Sequence, residues 1–297
     1  MFGIGRKIKK DFVEYLLKYI KHNFSEKIYS FFLFLSIFKK FKREINKKKS
    51  FDKFSQNLDA INNFEFRITS QNNEDGIIKY IFEKVPSNKY FVELGFDAYQ
   101  CNSLNLIKNG WSGLLIDADE NKCLKIQRCI NYFFPKNQVK ILNEKVNTGN
   151  INDLIYSNIT SKIIDFLSID IDGNDYWVLN KMNTDKINLI CCEYNPWIGK
   201  GVKKVMPYKK DFVYKGDFYF GASLTALSSL LKSKNFDLIA VESSGTNGFF
   251  LKRDFSSLFQ ILSSIDSFRK ASRCTKDEAS RIKKIIENHE FLEINDL

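Results

Sequence analysis

The sequence predicts an α/β domain built on a mostly parallel, Rossmann-like sheet. Three observations carry this expectation. Apolar runs of four to seven residues alternate with helical patterns from Tyr90 onward. The alternation closes with a hairpin, Phe236–Val241 and residues 248–251 around Ser243-Ser244-Gly245-Thr246-Asn247. Nearly every strand in between ends in an acidic or amide residue. Strands separated by helices pair in parallel, because each crossover returns the chain to the same end of the sheet.

The first strand, Tyr90–Leu94 (YFVEL), is rich in aromatic and branched residues and stops at Gly95. Residues 99–108 read as a helix stopped by Asn109-Gly110. Residues 113–117 (GLLID) form the second strand and 120–132 the next helix. Residues 139–142 form the third strand, and 163–169 the fourth, running into Asp170. A short helix over 175–182 leads to a fifth strand over 187–192, which runs into Glu193. A helix over 222–231 precedes the hairpin.

Charge separates the flanks from this core. The 297 residues carry a net charge of +11, but residues 1–53 hold 15 Lys/Arg against 5 Asp/Glu, and the remainder hold 31 against 30. The chain accordingly divides into a basic helical N-terminal arm (1–63), a core (64–254) and a helical C-terminal extension (255–297). In the arm, Phe12, Tyr15, Leu16, Tyr19 and Ile20 recur at helical spacing, and Lys47-Lys48-Lys49-Ser50 marks a linker. Thr275-Lys276-Asp277-Glu278 fits a capping box that opens the last helix. The apolar stretch 28–38 is shorter than the roughly 20 residues of a bilayer span, and it lacks a small-residue cleavage signature. Two uses of the arm stay open: packing on the core or a second subunit, or peripheral contact with an anionic membrane.

Composition also removes function classes. A nearly neutral core argues against a nucleic-acid partner. Six cysteines with no C-x-x-C pair argue against a thiolate zinc site and for a reducing, cytoplasmic setting. His22 and His289 both lie outside the core, which leaves it without a histidine base.

In an open parallel sheet, ligands bind beyond the carboxyl ends of the strands, where the strand order reverses. Those ends carry Glu93 and Gly95, then Asp117, then Asn143-Glu144, then Asp170 and Asp172, then Glu193 and Asn195. A glycine in the first turn admits close approach to the backbone. An acidic residue ending the second strand accepts from ribose hydroxyls. Carboxylates near the sheet centre hold a cation. The set Glu93, Gly95, Asp117, Asn143 and Asp170 therefore suits a nucleoside with a cationic tail, which describes S-adenosylmethionine. A nicotinamide dinucleotide is disfavoured: the turn Gly95-Phe96-Asp97-Ala98-Tyr99-Gln100 has one glycine and adds a carboxylate where a pyrophosphate would sit.

The chain also resembles the FkbM-like branch of class I methyltransferases over about residues 69–254. The segments that carry the resemblance are SQNNEDGII from Ser70, FVELG from Phe91, QCNS from Gln100, GWSGLLID from Gly110, FLSIDIDGNDY from Phe166, Glu193-Tyr194-Asn195, YFGASL from Tyr219 and GTNGFF from Gly245. The resemblance implies a sheet of seven strands with the last antiparallel. It implies that Glu93 and Gly95 line the methionine end of the cofactor, that Asp117 binds the ribose, and that Asp170 and Asp172 border the methyl-transfer site. It also implies acceptors from glycan or secondary-metabolite pathways. Ala98 and Asn73 stand where relatives often carry glycine.

A hydroxyl acceptor must lose its proton, and without a core histidine the base must be an Asp, Glu, Lys, Tyr or a metal-bound site, with Asp170, Asp172 and Glu193 as the candidate catalytic residues. The oxygen donors Asp170, Asp172, Glu193 and Asn195 also form a candidate set for Mg²⁺ or Ca²⁺, against the alternative that they bind cofactor and acceptor directly. The expectation is thus an adenosylmethionine-dependent O-methyltransferase acting on a sugar or other small hydroxyl compound. The rival from another class is a non-catalytic binding module on the same fold, for which Ala98 and Asn73 are the supporting departures.

Overall fold

A computed structural model of the chain describes residues 26–51, 59–271 and 276–294. The chain separates into two compact units, residues 1–46 and 47–297. Helix α1 (Glu26–Ile45) is the described part of the first unit. The arm residues Phe12 to Ile20 and His22, and Thr275 of the expected capping box, lie outside the described residues. No described helix is long and apolar enough to cross a membrane.

The second unit is built on a seven-stranded sheet. Its strands are β1 (Tyr90–Leu94), β2 (Ser112–Asp117), β3 (Val139–Asn143), β4 (Ile164–Ile169), β5 (Ile187–Glu193), β7 (Phe236–Val241) and β8 (Asn247–Lys252). The spatial order is β3-β2-β1-β4-β5-β8-β7. The first five strands pair in parallel, and β8 runs antiparallel to both β5 and β7. This is the strand order of the Rossmann-like methyltransferase fold, with α/β layering as expected. A short pair, β6 (Lys204–Val205) with β9 (Leu292–Glu293), lies apart from it.

The central strands β1 and β4 are buried along their whole length, because helices cover both faces of a parallel sheet. These helices are α2 (Glu74–Phe82), α3 (Leu104–Lys108), α4 (Glu120–Phe133), α5 (Ile151–Tyr156), α6 (Asp175–Lys181) and α7 (Leu224–Ser233). Two are fixed by side-chain caps: the Asp119 carboxylate accepts from the Asn121 and Lys122 N–H groups, and the Ser223 hydroxyl accepts from Ala226 N–H. Gly113 is required by packing, since a Cβ there would lie 2.4 Å from the Phe91 carbonyl oxygen on the neighbouring strand.

The flanks differ from the boundaries read in the sequence. A 3-10 turn (Ala60–Phe64) ties into the sheet unit through Asn62, whose amide donates to the Val241 carbonyl at 2.9 Å. The C-terminal residues return to the same unit. Buried Arg269 pairs with Asp59 at 2.6 Å, and the Tyr194 hydroxyl donates to the Arg269 carbonyl at 2.8 Å. Between α8 (Arg253–Ser256) and α9 (Lys276–Glu287) the described chain is irregular rather than helical, because it is held by these long-range contacts.

Candidate functional site

The strands β1 and β4 end side by side, and their turns define the floor of a cavity of about 740 Å³. Asp170 N–H donates to the Leu94 carbonyl at 2.9 Å, and Gly95 N–H to Ile116 at 2.9 Å. Gly95 has φ +74°, and a Cβ on it would lie 1.8 Å from the Asp170 carbonyl oxygen. Only glycine lets the two strand ends cross this closely.

Glu93 points into the start of the next segment, where its carboxylate accepts from the backbone N–H groups of Asn102 at 3.0 Å and Ser103 at 2.9 Å. Burial pushes its carboxyl up to about 7, against the opposing pull of the Ser103 and Asn102 hydrogen bonds. The Asn102 amide in turn donates to the Ser168 hydroxyl at 3.0 Å, joining the ends of β1 and β4 a second time.

Asp117 ends β2 as expected and borders the cavity. Its Oδ2 accepts from Phe96 N–H at 3.1 Å and lies 3.4 Å from the Lys122 ammonium, while Oδ1 accepts from Asp119 N–H at 2.7 Å. Oδ1 therefore keeps a lone pair for a ligand hydroxyl, and Oδ2 is free for a second one only when Lys122 swings away. Asn143 behaves differently from its expected role. Its amide donates to the Asp117 carbonyl at 3.1 Å, and Glu144, one residue on, lines the cavity in its place.

Asp170 lies at the cavity floor with Asp172 beside it. One oxygen from each of Asp170, Asp172 and Glu193 falls within 4.8 Å of the others. Burial pushes Asp170 up to about 7, helped by the charges of Asp172 and Asp175. Glu193 is raised well above the ordinary glutamate range, by burial first and by Asp170 next. Their side-chain interaction is mutual, Glu193 pulling Asp170 down while Asp170 pushes Glu193 further up, so the two titrate as a pair. Asp172 takes the left-handed backbone conformation at φ +55°, a local strain typical of functional turns. Beneath the turn, buried Asp175 accepts from the Ile171 and Gly173 N–H groups at 2.9 Å each.

Asn195 does not join this cluster. Its amide donates to the Phe218 and Phe220 carbonyls at 2.9 Å each, and its oxygen accepts from Trp197 N–H at 3.0 Å. With its amide and its oxygen both bonded within the chain, it holds the segment before α7. The remaining three carboxylates form a hard-oxygen set that could hold a divalent cation.

Several contributors were not singled out in the sequence. Phe212 lies against the turn at residues 170–174, since a Cβ at Gly173 would sit 2.5 Å from its ring. The SQNNEDGII segment supplies a wall rather than a reactive group. Buried Glu74 accepts from Asn72 N–H at 2.7 Å and from the Asn247 amide at 2.8 Å, and Asn247 lines the cavity. Buried Glu65 accepts from the Asn73 amide at 3.1 Å. Asn73 has φ −104°, and Ala98 is not among the described positive-φ residues, so neither position needs glycine.

The cavity is acidic, with seven carboxylates against Lys122 and Lys145. Such a lining attracts a cationic ligand and repels a pyrophosphate.

No family model matches the chain, and no curated protein matches it. Among solved structures it is similar to the N-terminal domain of EvdMO1 with SAH bound (TM-score 0.42, 11% identity, 73% of this chain and 94% of that chain). It is also similar to magnesium protoporphyrin IX methyltransferase from Synechocystis PCC 6803 with bound SAM (0.36, 9%, 60% and 77%). A third is a SAM dependent methyltransferase from Aquifex aeolicus (0.39, 11%, 60% and 87%). With TM-scores below 0.5, the fold assignment rests on the strand order and not on these likenesses.

Proposed function

We propose that the chain is an S-adenosylmethionine-dependent methyltransferase that methylates a hydroxyl oxygen of a sugar or other small molecule. The observation that carries this reading is the placement of Asp117 and Asp170 on one acidic, phosphate-repelling cavity at the point where the strand order reverses. Adenosylmethionine supplies an electrophilic methyl group on a sulfonium. Asp117 Oδ1 accepts from a ribose hydroxyl, and the acidic floor around Glu93 and Asp170 favours the cationic tail.

Asp170 is the base for the acceptor. A carboxyl raised to about 7 is partly ionised at neutral pH and accepts a proton more readily than an ordinary aspartate. The acceptor hydroxyl gives its proton to Asp170 as its oxygen bonds the methyl carbon. Bound adenosylmethionine would supply that methyl group, with the carbon–sulfur electron pair leaving on sulfur as a neutral thioether. Glu193 positions Asp170 through their side-chain interaction. A second reading, a divalent cation held by Asp170, Asp172 and Glu193 that polarises the hydroxyl, is favoured by their 4.8 Å grouping.

The test is formation of S-adenosylhomocysteine with a panel of sugars and phenols. Turnover should fall at least about a hundredfold in Asp170→Asn, within the usual range for loss of a general base. Adenosylmethionine binding should persist, weakened by no more than about tenfold for the loss of one carboxylate from the floor. Undiminished turnover in that variant excludes Asp170 as the base. Loss of wild-type turnover in chelator, restored by Mg²⁺, selects the cation reading.

A further inference from the structure

A second cavity of about 500 Å³ adjoins the first, with Phe212 and Val213 lining both. Lys209, Lys215 and His289 line it together with Tyr219 and the carboxylates Asp211 and Asp217, a balance far less acidic than its neighbour's. Both carboxylates already have partners: Asp211 lies 3.9 Å from the Lys145 ammonium, and Asp217 accepts from Tyr219 N–H at 3.3 Å. The lysines belong to a local run, since residues 200–215 hold six Lys and one Asp in a sheet unit that is otherwise close to neutral.

The cavity is built on fixed parts. Asn174, in the turn that carries Asp170 and Asp172, donates to the Lys209 carbonyl at 2.8 Å and accepts from its N–H at 3.3 Å. Gly221 N–H donates to the Gly173 carbonyl at 3.2 Å, so the other end of the segment returns to the same turn. Tyr219 is buried and its hydroxyl donates to the Glu290 carbonyl at 3.0 Å. The His289 ring lies 4.3 Å from the Tyr219 ring at 31°, and the Lys209 ammonium sits 5.3 Å over the same ring. The His289 Nδ1 faces the Ile285 carbonyl at 2.7 Å, so that nitrogen carries the hydrogen and Nε2 is left for a ligand.

We propose that this second cavity binds a phosphoryl group carried by the methyl acceptor, with Lys209 and Lys215 as its donors, His289 joining them through Nε2–H in its imidazolium form, and Tyr219 as an aromatic wall. Two ammonium groups in one cavity match the several acceptor oxygens of a phosphate ester or diphosphate. Phe212 separates that anion from the acidic cofactor cavity, so the anion lies on one side of the ring and the reacting hydroxyl on the other. The acceptor class is therefore a phosphorylated hydroxyl compound. This assignment rests on the methyltransferase reading for its role and on the second cavity for its chemistry.

The experiment uses the full chain and reads His289 directly. With two histidines in the sequence, its imidazole resonance is assigned with His289→Gln. Pyrophosphate and glucose 1-phosphate should each shift that resonance saturably, and glucose should not. Lys209→Ala combined with Lys215→Ala should weaken both anions at least about tenfold, on the scale of one lost charge-assisted hydrogen bond. Adenosylmethionine affinity, measured in parallel by calorimetry, should be the same in the double variant and the wild type. Adenosylmethionine binding without any His289 shift overturns the phosphoryl cavity alone. A shift undiminished in the double variant also overturns it. A His289 shift in a folded protein that does not bind adenosylmethionine overturns the acceptor role together with the methyltransferase reading.

Discussion

Replacing Gly95 with alanine tests the strand crossing on which the site depends. The residue has φ +74°, where an L side chain costs about 1–2 kcal/mol. A Cβ would also stand 1.8 Å from the Asp170 carbonyl oxygen, a backbone atom that cannot rotate away. Forcing β1 and β4 apart adds about 1–3 kcal/mol of overpacking. The expected loss is about 3 kcal/mol, or roughly 6–12 °C in melting temperature for a unit of this size. Gly110→Ala is the matched control. Gly110 has φ +82° but no atom within 4 Å of its Cβ position, so it should lose only the conformational part, about 1–2 kcal/mol. Thermal unfolding of both variants separates collision from conformation. A Gly95→Ala protein no less stable than Gly110→Ala would refute the close approach of the strand ends.

Two further perturbations follow from the same geometry. The Glu93 carboxyl, raised by burial from 4.5 to about 7, destabilises the fold as pH rises between those values, because the unfolded chain ionises first. Its contribution is fully favourable below 4.5 and costs about 3 kcal/mol above 7, using the free energy of one pKa unit. Urea unfolding at pH 5 and pH 8 should show Glu93→Gln with a smaller difference between the two pH values than the wild type; an unchanged difference would assign the pH dependence elsewhere. Asn195→Ala frees the Phe218 and Phe220 carbonyls, so limited proteolysis should cut within residues 209–221 faster while adenosylmethionine affinity stays the same. Unchanged cleavage would mean that Asn195 is not what holds that segment.

The parallel sheet was legible because each strand is a short apolar run whose ends are marked by Gly95, Asp117, Asp170 or Glu193. Strands β1 and β7 coincide with the residues expected for them. The seventh strand's direction came only from the family resemblance, since no local pattern distinguishes parallel from antiparallel pairing. The helix expected over 99–108 forms only from Leu104, because Asn102 and Ser103 N–H groups are taken by the Glu93 carboxylate. Helix α2 is not legible as a helix: its buried Glu74 and Asp75 look like surface acids until their partners are known. The same blindness affects Asn143 and Asn195, whose amides were read as ligands. Each is bonded to a backbone carbonyl, and for Asn195 those carbonyls lie more than twenty residues away. The second cavity was not foreseen, because His289 reaches Tyr219 only through the tertiary fold.

Calorimetric titration of the folded chain with adenosylmethionine, beside Asp117→Ala, tests the central claim most directly. The account predicts one site per chain in the wild type and an affinity at least about tenfold weaker in the variant, the scale of one lost hydrogen bond to a charged group. A folded wild type that takes up no adenosylmethionine would contradict it.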